Sequence, residues 1–260
     1  MGTTDPAETP RVLAVGDGFF VRQAVDNIAW IDMGEFALVV DALEQPQLEK
    51  EVFDAIRSTL GDKPVRYVLN THTHYDHMAL NAAFQQRFGA EIINQRTSPA
   101  GPRGRWFEGS RRRVLMQPAP GCHTEEDCVV WVPQDKALFV GDIFGWGLIP
   151  LEAELGNESA RLLAQTYGRV IEFAASVVIP GHGPLATTAE LSRWVKYFHW
   201  LCREVRQACS QGKTDRQITQ AIPPPDDMKA WWRFVLWKHE DSLSKVARAI
   251  RHGRLTTWEP

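Results

Sequence analysis

Short apolar runs, rich in β-branched and aromatic residues and bounded by turn-forming residues, follow one another through most of the chain and predict β-strands. Apolar residues at helical spacing separate several of these runs and predict helices. The predicted strands comprise residues 19–25, 28–32, 36–40, 65–69, 91–94, 114–117, 128–132, 137–140 and 177–179, and the predicted helices residues 48–60, 78–88 and 159–174. Strands that lead into helices predict an α/β or α+β fold in which helices cover the faces of sheets.

Two segments depart from this alternation. Residues 95–113 are rich in Gly, Pro, Ser and Arg and lack hydrophobic periodicity, which predicts a long surface loop. Arg105 and Trp106 lie within it, so we expect either a mobile flap beside a binding pocket or a disordered surface loop. From residue 185 onward apolar residues recur at helical spacing, with a break at three prolines, residues 223–225. A helix-rich region is therefore expected to follow the mixed one.

Composition excludes several classes of function. Of the 260 residues, 44% are hydrophobic and 23% charged, as in ordinary soluble proteins, and the formal net charge is −3. This balance provides no basic surface for nucleic acid or for an anionic membrane. The first residues show no secretory signal pattern, no apolar stretch approaches the roughly 20 residues that cross a bilayer, and the four cysteines form no CxxC pair. We therefore expect a cytoplasmic protein that acts on a small molecule, as a monomer or as a homo-oligomer.

Histidines and aspartates stand where predicted strands end. Loops at strand ends converge in space, so residues that are dispersed in sequence can form one site. Imidazole nitrogens and carboxylate oxygens are the ligands that catalytic zinc prefers. Three imidazoles and a carboxylate within residues 72–77 are hard to explain without a cation, and seven such ligands suffice for two ions if one carboxylate bridges. The candidate ligands are His72, His74, Asp76, His77, His123, Asp142 and His182.

These residues lie in motifs that resemble those of the metallo-β-lactamase superfamily. The stretch Thr-His-Thr-His-Tyr-Asp-His at residues 71–77 resembles its HxHxDH signature, and Gly-Cys-His-Thr at residues 121–124 resembles its Pro-Gly-His-Thr element. Gly-Asp at residues 141–142 resembles its bridging aspartate, and Pro-Gly-His-Gly-Pro at residues 180–184 its last histidine turn. The resemblance extends over about residues 11–185. Cys122 departs from the pattern, because the family usually has glycine there.

The resemblance implies an α+β fold, a four-layered αβ/βα sandwich with the metals at one edge. It also implies a catalytic core, residues 1–185, and a helical C-terminal extension packed on it, residues 186–260. One metal would be held by His72, His74 and His123, the other by Asp76, His77 and His182, and Asp142 would bind both. Asp41 would support the site as an acid that orients the ligand loop or a ligand imidazole.

The resemblance further implies a hydrolase of the glyoxalase II-like or lactonase-like branch. Two divalent ions, with zinc expected and iron or manganese as alternatives, would share a hydroxide that attacks an ester, thioester, lactone or related bond. Asp76 would orient this nucleophile or move its proton. Phe144 and Trp146, which follow Asp142 closely, are expected to form a pocket wall. His239 is expected to be structural.

Two other classes of function stay open. A mononuclear iron dioxygenase acting on persulfides can retain the same HxHxDH string, so metal identity and oxygen consumption would have to separate it from a hydrolase. A non-catalytic metal-binding protein on this scaffold is the second alternative. Degenerated ligands would favour it, whereas all seven candidate ligands are intact.

Overall fold

The computed structural model describes residues 9–256. Residues 1–8, which belong to the segment inspected for a secretory signal, lie outside this range. The chain forms two compact units that are interleaved in sequence. The first unit contains the residues up to Pro120 together with Glu126–Asp142 and Phe173–Thr187, and the second contains Gly121–Glu125, Ile143–Glu172 and the residues from Thr188 onward. The predicted division into residues 1–185 and 186–260 stays a prediction.

A six-stranded mixed sheet begins the first unit, with its strands in sequence order from β1 to β6. The first four strands form an antiparallel meander, while β4, β5 and β6 run parallel. Parallel neighbours need a crossover connection, and helices α1 (Glu49–Leu60) and α2 (Asn81–Phe88) supply these connections. The strands are β1 (Arg11–Gly16), β2 (Phe19–Gln23), β3 (Ile28–Asp32), β4 (Ala37–Val40), β5 (Val65–Leu69) and β6 (Glu91–Ile93).

A second, five-stranded sheet of the first unit has the order β11-β10-β9-β8-β7. Its strands pair antiparallel except β10 and β11, which are parallel. The strands are β7 (Arg105–Glu108), β8 (Arg113–Pro118), β9 (Cys128–Val132), β10 (Ala137–Gly141) and β11 (Val177–Pro180).

The prediction of a mobile flap or disordered loop at Arg105 and Trp106 was wrong, because both residues belong to β7. This strand pairs with β8, and Trp106 lies opposite Leu115. The guanidinium of Arg113 lies 3.7 Å from the centre of the Trp106 ring, and Phe107 points the other way and is buried. An edge strand of four residues among glycines and arginines has too little local pattern to be recognised without its partner strand.

The hydrophobic core of the first unit lies between the two sheets. Alternate residues of β3 show how it is built, since Ala29 and Ile31 face the core between the sheets while Ile28 and Trp30 face helices α1 and α2. Every residue of β3 is buried, as expected for a strand that is covered on both faces.

The second unit is helical. Its helices are α3 (Asn157–Glu172), α4 (Thr188–Ser210), α5 (Asp215–Ala221) and α6 (His239–Arg251), with a π-helical turn at Phe234–Lys238. Tyr167 of α3 stacks on Trp194 of α4 with 4.1 Å between ring centroids. His239 is structural, as predicted, because its ring nitrogens lie 2.8 Å from the Tyr197 hydroxyl and 2.9 Å from the Ile222 carbonyl oxygen. No helix within residues 9–256 is long and apolar enough to cross a membrane.

Candidate metal centre

The HxHxDH stretch leaves β5 as an irregular loop that is held by one buried carboxylate. Asp41 accepts hydrogen bonds from the Thr71 amide at 2.8 Å and from the Thr71 hydroxyl at 2.9 Å. The Cys128 amide donates to the Thr71 carbonyl at 2.7 Å, which ties the loop to the start of β9. Asp41 itself has a φ of 59°, a strained conformation for a residue with a side chain. Such strain persists where surrounding contacts fix the conformation. Here the Asp41 side chain is fixed by the two hydrogen bonds from Thr71 and by the contact with His77 described below.

Four predicted ligands meet within the first unit: Asp76, His77, Asp142 and His182. Their potential ligand atoms all lie within 4.8 Å of one another. The two oxygens of Asp142 face different imidazoles, with Oδ1 3.4 Å from His77 Nε2 and Oδ2 3.4 Å from His182 Nε2. Asp76 Oδ2 lies 3.3 Å from His182 Nε2 and 3.9 Å from His77 Nε2. Four side chains from three separate stretches of chain thus converge on one point.

Both imidazoles of this cluster are oriented through Nδ1. His77 Nδ1 lies 2.8 Å from Asp41 Oδ2, and His182 Nδ1 lies 3.0 Å from the Val25 carbonyl oxygen. A carbonyl can only accept, so His182 Nδ1 carries a proton and its Nε2 is left to bind a second proton or a metal ion. This is the outer support that metal-binding histidines require. Sequence reasoning found Asp41 but missed Val25, because a backbone carbonyl leaves no signature in the residue type.

The electrostatics of the cluster favour positive charge at its centre. Burial raises the pKa of Asp76, but the hydrogen bond from His182 and the charges of the two imidazoles outweigh it and lower this pKa to about 2. Burial lowers the pKa of His182, but the charge of Asp142 and its hydrogen bond raise it to about 10. His77 Nε2 is buried and makes no hydrogen bond. Two imidazole nitrogens together with two carboxylates that favour positive charge form a ligand set suited to a divalent metal ion.

Close packing against Asp142 requires a glycine at position 181. A Cβ atom on Gly181 would lie 2.3 Å from Asp142 Oδ1 and 2.7 Å from His77 Cε1, far inside any real contact distance. The Gly181 amide also donates to the Gly141 carbonyl at 2.8 Å, which joins the ends of β10 and β11. The glycine of the Pro-Gly-His turn therefore lets the chain approach the ligands.

His72 and His74 adjoin this cluster in the first unit. His72 Nε2 lies 3.0 Å from His74 Nδ1, and the ring centroid of His72 lies 4.2 Å from that of His77. Six of the seven predicted ligands are therefore contiguous. The seventh, His123, belongs to the second unit, where its Nδ1 lies 2.6 Å from the Pro150 carbonyl oxygen. Its membership of a shared centre stays a prediction.

The aromatic residues predicted to form a pocket wall also lie in the second unit. Phe144 and Trp146 are buried and pack against each other and against Trp231, with ring centroids 5.2 to 5.8 Å apart. Their role in a substrate pocket stays a prediction, and so does that of Arg105 and Trp106.

A match to a protein-family model identifies the family of this chain. The model of the metallo-β-lactamase superfamily matches residues 21–182, which is more than half of the chain. The chain belongs to the metallo-β-lactamase superfamily. The predicted fold class is confirmed, since the chain has this α+β fold with two mixed sheets and a helical C-terminal region.

The similarity to two curated relatives covers only part of each relative's length. The alpha subunit of 2,4-dinitroanisole O-demethylase from Nocardioides sp. (strain JS1661) is 28% identical over 157 residues, 54% of this chain and 45% of the relative. Hydroxyacylglutathione hydrolase from Rhizobium meliloti (strain 1021) is 30% identical over 112 residues, 39% of this chain and 41% of the relative. Both matches thus span less than half of the relative. The sec-alkylsulfatase Pisa1 from Pseudomonas sp. is 14% identical with a TM-score of 0.68 over 92% of this chain and 50% of that one, a likeness of fold alone.

Proposed function

We propose that this protein is a metal-dependent hydrolase that cleaves an ester, thioester, lactone or related bond in a small molecule. The observation that carries the proposal is the cluster of Asp76, His77, Asp142 and His182, whose ligand atoms converge within 4.8 Å. Membership of a superfamily of mostly hydrolytic enzymes supports the reaction class. The similarity to a hydroxyacylglutathione hydrolase points the same way.

The proposed centre holds two divalent ions, with zinc expected. Asp76, His77 and His182 would bind one ion, Asp142 would bind both, and the second ion would be completed by His72, His74 and His123. When bound, such a pair lowers the pKa of a shared water toward neutrality and polarises the bond under attack. Asp142 Oδ1 lies 3.4 Å from His77 Nε2 and Oδ2 lies 3.4 Å from His182 Nε2, so both oxygens lie beside proposed ligands of the first ion.

Asp76 is proposed as the residue that handles the attacking water. Its side chain is 22% exposed, whereas that of His77 is 1% exposed, so Asp76 is the member of this pair that water can reach. Its Oδ2 lies 3.3 Å from His182 Nε2, another proposed ligand of the same ion. A carboxylate that water can reach can orient a water molecule by accepting a hydrogen bond from it.

The first experiment is to purify the protein without added metal or chelator and to measure metal identity and stoichiometry by elemental mass spectrometry. We expect about two equivalents of a divalent ion per chain and turnover of at least one class in a panel of esters, thioesters and lactones. The name of the Nocardioides relative adds 2,4-dinitroanisole to that panel. One equivalent of iron together with oxygen consumption on persulfides would replace the hydrolase by a dioxygenase.

Variants connect the metal to the reaction. Asp142→Asn and His182→Ala should each lower both metal content and turnover by about tenfold or more. His252→Ala is the matched control, because His252 is an exposed histidine that follows α6 and lies apart from the cluster in sequence and in unit. Wild-type turnover by either cluster variant would contradict the proposal.

A further inference from the structure

The residue between the first two histidines of the HxHxDH motif is held by a charged side chain from another segment. The Thr73 hydroxyl donates a hydrogen bond to Glu126 Oε2. The other oxygen of the same carboxylate, Oε1, accepts from Arg96 Nε at 2.9 Å. All three residues belong to the first unit. Glu126 thus joins the histidine loop to the segment that follows β6.

The bond between Thr73 and Glu126 lies between His72 and His74 in the sequence. His74 has extended backbone dihedrals, with φ −72° and ψ 150°. Thr73 lies between the two histidines in sequence, so a hydrogen bond to its side chain restrains the backbone that carries both imidazoles. The nitrogens that it would keep together are His72 Nε2 and His74 Nδ1, which lie 3.0 Å apart.

Other hydrogen bonds hold the neighbouring residues of the loop. Asp41 and the Cys128 amide hold Thr71, and Asp41 also holds His77. Glu126 supplies the tie in the middle of the loop. Its two hydrogen bonds are of the charge-assisted, stronger class, and the Thr73 hydroxyl and the Arg96 guanidinium lower the pKa of its carboxyl group.

We propose that Glu126, itself held by Arg96, is a positioning residue that fixes Thr73 and thereby the spacing of His72 and His74 for metal binding. Nothing in the motif requires this role, since HxHxDH leaves the residue between the histidines unspecified. The inference rests on the proposed function only in assuming that His72 and His74 bind metal. Glu126 touches neither a metal ion nor the substrate, and it acts through Thr73.

The test compares two variants at position 73, one that keeps the shape of threonine and one that keeps its hydroxyl group. Thr73→Val removes the hydroxyl, and Thr73→Ser keeps it. Zinc affinity is measured on the full chain by competition with a chromophoric chelator, and the visible spectrum of the cobalt-loaded protein reports ligand geometry. We expect Thr73→Val to weaken binding at one of the two ions by about 10–100-fold, the usual effect of losing an outer contact, and Thr73→Ser to stay within about threefold.

A second pair of variants tests the carboxylate. Glu126→Ala should weaken zinc binding like Thr73→Val, whereas Glu126→Gln retains an acceptor oxygen and should recover most of the loss. The double variant Thr73→Val/Glu126→Ala should bind zinc no more weakly than either single variant, because both substitutions remove the same hydrogen bond between Thr73 and Glu126. Glu125→Ala is the control, as Glu125 is an exposed neighbour of Glu126. Thermal unfolding of the metal-free proteins shows which variants are folded.

The outcomes separate this inference from the proposed function. Wild-type zinc affinity in folded Thr73→Val and Glu126→Ala would overturn the positioning role, whatever the enzyme hydrolyses. Equal losses in Thr73→Ser and Thr73→Val would overturn it as well. Normal metal binding without turnover of any substrate would contradict only the hydrolase. A wild-type protein that takes up no metal would overturn both.

Discussion

His77 Nδ1 lies 2.8 Å from Asp41 Oδ2, and both side chains are buried. The two residues are 36 positions apart and follow neighbouring parallel strands, β4 and β5. Asp41 also accepts a hydrogen bond from the Thr71 amide, so one carboxylate holds the start of the HxHxDH loop and the imidazole of His77 at its end.

Asp41→Asn should damage metal binding more than its small change in volume suggests. An amide has one acceptor oxygen where the carboxylate has two, so it cannot serve Thr71 and His77 equally well. We expect zinc affinity to fall by about 10–100-fold, with a loss of about 1–3 kcal/mol in stability from buried donors left unsatisfied. Chelator competition and denaturant unfolding measure the two effects. Asp62→Asn, at an exposed aspartate, should change neither.

Two glycine-to-alanine substitutions should change the stability of the protein in opposite directions. Gly181→Ala places a methyl group against Asp142 Oδ1 and His77 Cε1, so it should lower both metal stoichiometry and melting temperature. Gly168 lies within α3 with no atom within 4 Å of an added Cβ, so Gly168→Ala should stabilise the protein by about 0.5–1 kcal/mol. Equal melting temperatures for the two variants would contradict the close approach at Gly181.

Substitutions in β7 test whether this segment is a strand. Phe107 is 4% exposed in the core between the sheets, and Phe107→Ala should cost about 3–5 kcal/mol. Trp106 is 39% exposed and contacts Arg113, so Trp106→Ala should cost only about 1 kcal/mol. Denaturant unfolding measures both values. Similar small losses would indicate a surface loop instead.

Protonation of His239 should make the protein less stable in mild acid. Burial lowers the pKa of His239 below its ordinary value of 6.5. As pH falls through 6.5, the unfolded chain takes up a proton that the folded chain does not, so stability decreases until the folded-state pKa is reached. One such proton contributes up to about 1.4 kcal/mol per pH unit.

The measurement for this prediction is unfolding between pH 7.5 and 5.5 for the wild type and His239→Gln. Glutamine keeps a donor and an acceptor near the Tyr197 hydroxyl and the Ile222 carbonyl but does not titrate. The variant should therefore show a shallower decline in stability with falling pH. Parallel declines would assign the acid sensitivity to other groups.

Local pattern was sufficient for much of the fold. The ranges predicted for β3, β5 and β9 coincide with the observed strands, because compact apolar runs between turn residues leave one choice of structure. Strand β1 and helix α5 were missed along with β7. Strand β1 has no fully buried residue and α5 has only seven residues, so both carry a weak hydrophobic pattern.

By itself the sequence determined the candidate ligands and the family, because imidazoles and carboxylates grouped at strand ends have a recognisable spacing. Apart from Asp41, the groups that orient these side chains were decided only by the tertiary structure. The Val25 carbonyl behind His182, the close approach of Gly181 to Asp142 and the bond from Thr73 to Glu126 join segments that are distant in the chain. Such contacts depend on strand pairing and on backbone atoms that every residue possesses, so the residue types alone do not predict them.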